Sequence, residues 1–374
     1  MAKTKMQELA DFGQSIWLDY ISRSLIETGK LKSMIAQGLR GMTSNPTIFD
    51  KAVSESNDYD RHVAALKKKG KSIFEIYDDL TVKDIQEAAD LFKPVYEKTH
   101  RGDGYVSLEV NPKLAYNVKE TTEEAKRLYK KVNRPNVMFK VPSTDRGFAA
   151  IEELLAEGVN INITLIFSLQ QYTNTAEAYI KGIDRLLQKG GDASTVCSVA
   201  SVFVSRVDTL TDKLIDEKLT REGDTAKRAR LESLKGKAAV ANAAILYKNY
   251  RDIFSGEQFM RLHKNGAHVQ RLLWGSTSTK NPAYSDIKYV TELIGKHTIN
   301  TIPEHTLDAF LDHGVVKETL TGDTTEAQKI IDGLRRIGIE IDDVCKKLLE
   351  DGVVAFEKSF DSLLNAIEQK SKQL

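Results

Sequence analysis

The 374-residue chain has only two cysteines, Cys197 and Cys345, far apart and in no CxxC pair. Their apolar neighbours (Val196 and Val199; Val344 and Leu348) suit two buried thiols in a reducing compartment, so the expected location is cytoplasmic. Charge of one sign is also lacking. With 54 Lys and Arg against 53 Asp and Glu, the formal net charge of +1 leaves no global field to attract nucleic acid or an anionic membrane, and any anion binding must be local. No stretch reaches the roughly 18 successive apolar residues of a membrane span, and the polar, amphipathic start from Met1 to Ser15 has neither the apolar core nor the cleavage-like site of an export signal. A Gly-rich phosphate loop is missing: its nearest lookalike, Gly70-Lys71-Ser72, has Ala65 where such a loop needs glycine and reads as a helix break. The seven histidines name no metal site, since His263 and His268 lack an HExxH and His297, His305 and His313 are dispersed. No metal, nucleotide or organic cofactor is expected.

What is present is a repeated alternation. Short runs rich in Val, Ile and Phe are separated by longer segments of helical periodicity, which is the pattern of βα units and a parallel sheet. The strand candidates are Ser15 to Tyr20, Gly38 to Ser44, Tyr105 to Val110, Val137 to Val141, Asn160 to Phe167, Val196 to Val204, Arg271 to Ser276 and a short one near Thr298 to Ile302. Good helix formers fill Glu123 to Lys131, Ala149 to Ala156, Ala176 to Gln188 and Ala238 to Arg251. Eight units without a dinucleotide-type turn predict a closed (β/α)8 barrel of the TIM type rather than an open doubly wound sheet. A single domain over 1–374 is expected, with helical insertions at about 50–104 and 208–268 and C-terminal helices over about 304–374.

The informative departure lies on one face of several strands, where polar residues stand in place of Val or Leu. In a parallel barrel that face points inward, and chemistry gathers at the C-terminal strand ends. In Val137-Met138-Phe139-Lys140-Val141, Lys140 falls opposite the helix-facing apolar set. A strand-end lysine more often snorkels to solvent, but a poorly solvated inward one favours its neutral, nucleophilic amine. Neighbouring strands weigh against the solvent reading. Asp19 lies opposite Ile16 and Leu18, Glu109 opposite Val106, Leu108 and Val110, and Asn162 with Thr164 opposite three branched apolar residues. Gly41, Thr43 and Asn45 alternate in the second strand, as do Ser201 and Phe203 in the sixth. Any one of these is explained as a bonded core polar group or a helix cap, and Asn45-Pro46 alone as a turn. Their agreement across strands is not.

At these residues the chain resembles the transaldolase family. Gly41-Met42-Thr43-Ser44-Asn45-Pro46-Thr47-Ile48-Phe49 is similar to the family's N-terminal motif, and Val137 to Gly147 (VMFKVPSTDRG) to its active-lysine motif. Ser201 to Arg206 and Trp274 to Asn281 extend the similarity over about Ser15 to Asn281. The resemblance implies a transferase that moves a three-carbon dihydroxyacetone unit from a ketose phosphate (sedoheptulose 7-phosphate or fructose 6-phosphate) to an aldose phosphate (glyceraldehyde 3-phosphate or erythrose 4-phosphate), in the non-oxidative pentose phosphate pathway. By that resemblance Lys140 forms the Schiff base and Asp19 is the general base at the C4 hydroxyl. Glu109 and Thr164 hold a proton-shuttling water, and Thr43, Asn45, Asn162 and Ser201 bind hydroxyls of the three-carbon unit. Arg206, Ser278 and Lys280 take the phosphate. Lys280 departs from the pattern, because many relatives have arginine there, and a lysine beside Asn281-Pro282 also reads as plain surface. The nearest rival is a fructose-6-phosphate aldolase that releases dihydroxyacetone to water. Those relatives are shorter and usually carry Gln and Tyr where Glu109 and Phe203 stand, so transfer is favoured. Monomer and homodimer both stay open.

Overall fold

The computed structural model describes residues 3–374. Eight parallel strands, β1 (Gln14–Asp19), β2 (Gly41–Thr43), β3 (Tyr105–Glu109), β4 (Val137–Pro142), β5 (Ile161–Ile166), β6 (Ser198–Phe203), β7 (Arg271–Gly275) and β8 (Thr298–Ile302), close in chain order into a barrel, with β1 paired to β8. This is the expected (β/α)8 fold. The period of two sorts each strand. Ile16, Leu18, Met42, Val106, Leu108, Phe139, Val141, Ile161, Ile163, Ala200 and Val202 join the core shared with the helices, while Trp17, Tyr105, Met138, Val199, Leu273 and Ile299 form a separate cluster inside the barrel. That inner apolar layer needs Gly41, since a Cβ there would stand 2.5 Å from the Trp17 indole. Below it the N-terminal end is sealed by polar bonds. Asp103 accepts from Ser15 Oγ at 2.7 Å and Trp17 Nε1 at 3.1 Å, and pairs with Arg271 at 3.1 Å.

Helices Pro46–Ser54, Asp60–Lys68 and Ile73–Lys98 fill the long β2–β3 connection, and Ser205–Leu219, Thr225–Glu232, Ala238–Ser255 and Glu257–His263 the β6–β7 connection. Gly70 has φ +75° and Ser72 caps the following helix in a reciprocal capping box with Glu75, so that segment is the helix break its composition suggested. Beyond β8 come Glu304–His313, Thr325–Arg336 and the long C-terminal helix Ile341–Gln373. The last packs back onto Pro46–Ser54 at the barrel's C-terminal mouth, with Thr47 Oγ1 and Ser359 Oγ bonded at 2.7 Å.

Two strand ends differ from expectation. β2 is confined to Gly41–Thr43: before it Gly38 has φ +115°, outside the strand region, and after it Asn45 does not continue the alternation but is the N-cap of Pro46–Ser54, its Oδ1 accepting from Ile48 N at 3.0 Å. In β5 the pairing to β6 slips between Ile163 and Ile166, and Leu165 takes φ +60°, a rare conformation for a branched residue. Both cysteines are free and buried, and burial pushes the Cys197 thiol up to about 11 and Cys345 to about 12, which leaves neither a ready thiolate. Among the described residues no helix is long and apolar enough to cross a membrane.

Candidate active site

A cleft of about 430 Å³ opens at the C-terminal strand ends and is lined by ten of the twelve residues singled out above: Asp19, Thr43, Asn45, Lys140, Thr164, Ser201, Phe203, Arg206, Ser278 and Lys280. Glu109 and Asn162 lie just beneath its surface, both buried, each bonded to a neighbouring strand. At the centre is Lys140. β4 turns its Val137, Phe139 and Val141 side chains to the helices, which leaves Met138 and Lys140 inside. The lysine side chain is 5% exposed, its Nζ donates to Ser44 O at 2.9 Å and lies 3.1 Å from Glu109 Oε2, and the Phe356 ring centroid is 5.7 Å away.

The two carboxylates differ in setting. Asp19, partly exposed to the cleft, accepts from Thr43 Oγ1 at 2.7 Å, and Thr43 is in turn bonded to Thr301 at 2.7 Å. Burial pushes the Asp19 carboxyl above its ordinary range, while the Thr43 bond and the charges of Lys140, Arg206 and Lys280 pull it back. Glu109 is likewise pushed up by burial, against the pull of Lys140. A further polar chain runs between strands: Ser201 Oγ donates to Asn162 Oδ1 at 2.6 Å and Asn162 Nδ2 to Ser107 Oγ at 3.0 Å. Thr164 Oγ1 is buried with no hydrogen-bond partner among the described residues.

The opposite wall is cationic. Arg206 stands in the first turn of Ser205–Leu219, where Ser205 N donates to Ser276 O and Val207 N to Val204 O, each at 3.0 Å, and its guanidinium lies 5.2 Å over the Phe203 ring. Neither Arg206 nor Lys280 has a carboxylate partner within 4.0 Å among the described residues. Lys280 is exposed, yet it faces this cleft. Ser278 and Ser276, the latter at φ +53°, complete that side. A depression of about 520 Å³ adjoins at Lys280, and two of its carboxylates are engaged by tyrosines of its own wall: Asp208 accepts from Tyr289 Oη at 2.8 Å and Asp212 from Tyr284 Oη at 2.6 Å. Among the described residues no three His, Cys, Asp or Glu side chains gather as a metal-ligating set.

The sequence profile of transaldolase/fructose-6-phosphate aldolase matches residues 16–367. The chain belongs to that family. It is 46% identical to a transaldolase of Trichodesmium erythraeum over 100% of this chain and 99% of the relative, and 44% identical to transaldolase 2 of Nostoc sp. over the same shares. To a transaldolase of Mycobacterium tuberculosis it is 44% identical over 95% of this chain and 94% of the relative. Several residues in or beside the cleft escaped the reading of strand pattern, Lys51, Ser276 and His305 among them, and three show why. Thr301 follows Asn300 in a short strand whose alternation is ambiguous. Ser107 shares the inward face of β3 with Glu109 and was eclipsed by it. Phe356 sits in an apolar helical stripe that looks like any core contact.

Proposed function

We propose that the enzyme is a transaldolase that transfers a dihydroxyacetone unit from a ketose phosphate to an aldose phosphate through a Schiff base on Lys140. The observation that carries this reading is the buried Lys140–Glu109 pair at 3.1 Å, set at the floor of a cleft that Asp19 also faces. An amine attacks a carbonyl only when neutral, and a carboxylate at hydrogen-bond distance can take its proton. The amine adds to C2 of the ketose, the carbinolamine loses water, and an iminium forms. Glu109 and the Thr164 hydroxyl, which has no hydrogen-bond partner among the described residues, hold the water that ferries these protons.

Asp19 then takes the proton from the C4 hydroxyl, the C3–C4 bond breaks, and its electrons enter the iminium to give an enamine as the first aldose departs. The elevated carboxyl of Asp19 suits a group that must accept and later return a proton. Attack of the enamine carbon on a second aldose reverses the sequence, and hydrolysis frees the lysine. Thr43, Asn45, Asn162 and Ser201 bind the three-carbon hydroxyls, and Arg206, Ser278 and Lys280 the phosphate. Residues 1–374 act as one catalytic unit in the cytoplasm, a setting supported by the two buried thiols. The test is borohydride reduction with fructose 6-phosphate: peptide mapping should find the reduced adduct between Val137 and Arg146, and Lys140→Ala should lose both trapping and turnover. An adduct on another lysine, or transfer by Lys140→Ala, would overturn the assignment.

A further inference from the structure

The barrel supplies the floor and walls of this site, but the roof comes from the end of the chain. On the C-terminal helix Ile341–Gln373, Phe356 is 5% exposed and places its ring 5.7 Å from Lys140 Nζ. It packs edge-on against Phe203 at 6.3 Å, which packs against Phe167 at 5.7 Å, so an aromatic row runs from the end of β5 across β6 to the helix. One turn earlier, a side chain at Gly352 would press to 3.0 Å on Leu165, the residue after Thr164, and 3.7 Å from the Arg206 guanidinium. Gly352 therefore lets the helix sit low over the mouth, and the Thr47–Ser359 bond fastens it there.

Building on the Schiff-base reading, we propose that Phe356 is a specificity-determining residue that favours transfer over release, by covering the lysine-bound three-carbon unit and excluding bulk water from it. After the first aldose leaves, the nucleophilic carbon of the enamine, two bonds from Nζ, has two fates. It forms a C–C bond to an acceptor aldehyde, or it takes a proton from solvent, after which one water hydrolyses the iminium, frees the amine and releases dihydroxyacetone. Only the second route needs a solvent proton at that carbon. An aromatic face over the nitrogen also favours the cationic iminium, which water would otherwise solvate.

The test compares the full-length enzyme with Phe356→Leu and Phe356→Ala by three readings: free dihydroxyacetone from fructose 6-phosphate alone, transfer to erythrose 4-phosphate, and borohydride trapping at Lys140. The ratio of release to transfer should rise about tenfold in the alanine variant, equivalent to about 1.4 kcal/mol between two competing barriers. The leucine variant should rise less, and trapping should persist in both. General loosening would lower both rates together and leave the ratio unmoved. If Phe356→Ala does not fold, Phe356→Leu, which keeps most of the volume, decides. An unchanged ratio in the folded leucine variant, with normal transfer by the unsubstituted enzyme, overturns this inference alone; loss of trapping in that folded variant overturns it too, because Phe356 would then be placing the lysine. No transfer by the unsubstituted enzyme overturns both readings.

Discussion

Arg206 and Lys280 face the same cleft without ion-pair partners among the described residues, but they differ in solvation, and that difference sets an order between them. The Arg206 guanidinium is half-buried, with burial alone strong enough to make its charged form less favourable than in water. A phosphate oxygen bonded there meets a poorly hydrated cation, and a charge-assisted bond of this kind contributes about 1.5–3 kcal/mol. Arg206→Ala should therefore raise the apparent KM for fructose 6-phosphate by roughly 10- to 150-fold, at about 1.4 kcal/mol per tenfold. Lys280 is exposed, so water already solvates its ammonium and a salt-bridge-like contact is worth only about 0.2–1 kcal/mol. Lys280→Ala should cost no more than about fivefold by the same conversion. Steady-state kinetics with saturating acceptor measure both, and Arg206→Lys should fall between wild type and Arg206→Ala because it keeps the charge but loses the planar fork. Equal KM for wild type and Arg206→Ala would remove Arg206 from the phosphate subsite, and a larger loss in Lys280→Ala would refute the solvation argument.

The remaining expectations test the proton inventory. Glu109→Gln keeps the shape of the side chain but cannot take the lysine's proton, so the rate of borohydride-trappable adduct formation should fall by about 10²–10⁴ while KM changes little; an unchanged rate of trapping would remove Glu109 from that step. Burial pushes Asp208 up to about 6, against bonds from Ala239 N and Tyr289 Oη. Its proton is thus held more tightly in the folded chain than in the unfolded one, where an aspartate titrates near 3.9. The stability this confers is present below about pH 4 and is lost as pH rises through about 6. Asp208→Asn, neutral throughout, should escape that loss, so the two unfolding free energies should diverge by up to about 3 kcal/mol between these pH values; parallel denaturation curves across the range would refute the assignment.

Much of this was legible because the barrel imposes two independent constraints on each strand. Helix-facing positions must be apolar, which made Ile161, Ile163 and Val141 unambiguous, and the inward positions then stood out whenever they were not. Lys140, Asp19 and Glu109 were visible for that reason, each a polar group where packing alone would choose an aliphatic one. The errors fall where local backbone overrides pattern. Gly38 and Leu165 adopt positive φ, so β2 is shorter than its apolar run and β5 slips at its end; a leucine gives no sign of such a conformation. Asn45 reaches the cleft as a helix cap instead of a strand residue, a role its Asn-Pro context allowed but did not force. Phe356 was hidden by distance along the chain, since a phenylalanine on an amphipathic helix reports burial and not the partner it is buried against.

The charge of the cleft ties the local site to the absence of any global field. Four cationic side chains, Lys51, Lys140, Arg206 and Lys280, face it or line it, against the carboxylates of Asp19 and Glu109, a formal excess of two positive charges. The chain as a whole carries +1, so this excess is concentrated at one mouth and balanced by acidic groups elsewhere, including the neighbouring Asp208 and Asp212 cluster. A phosphate monoester carries about −1.5 to −2 near neutral pH, close to what the cleft lacks. In the proposed arrangement that charge would lie on the Arg206 wall, which would leave Lys140, Glu109 and Asp19 to exchange protons among themselves, with the substrate's phosphate compensating the surplus. It follows that a ketose without phosphate meets an uncompensated site, and binding and proton transfer should suffer together.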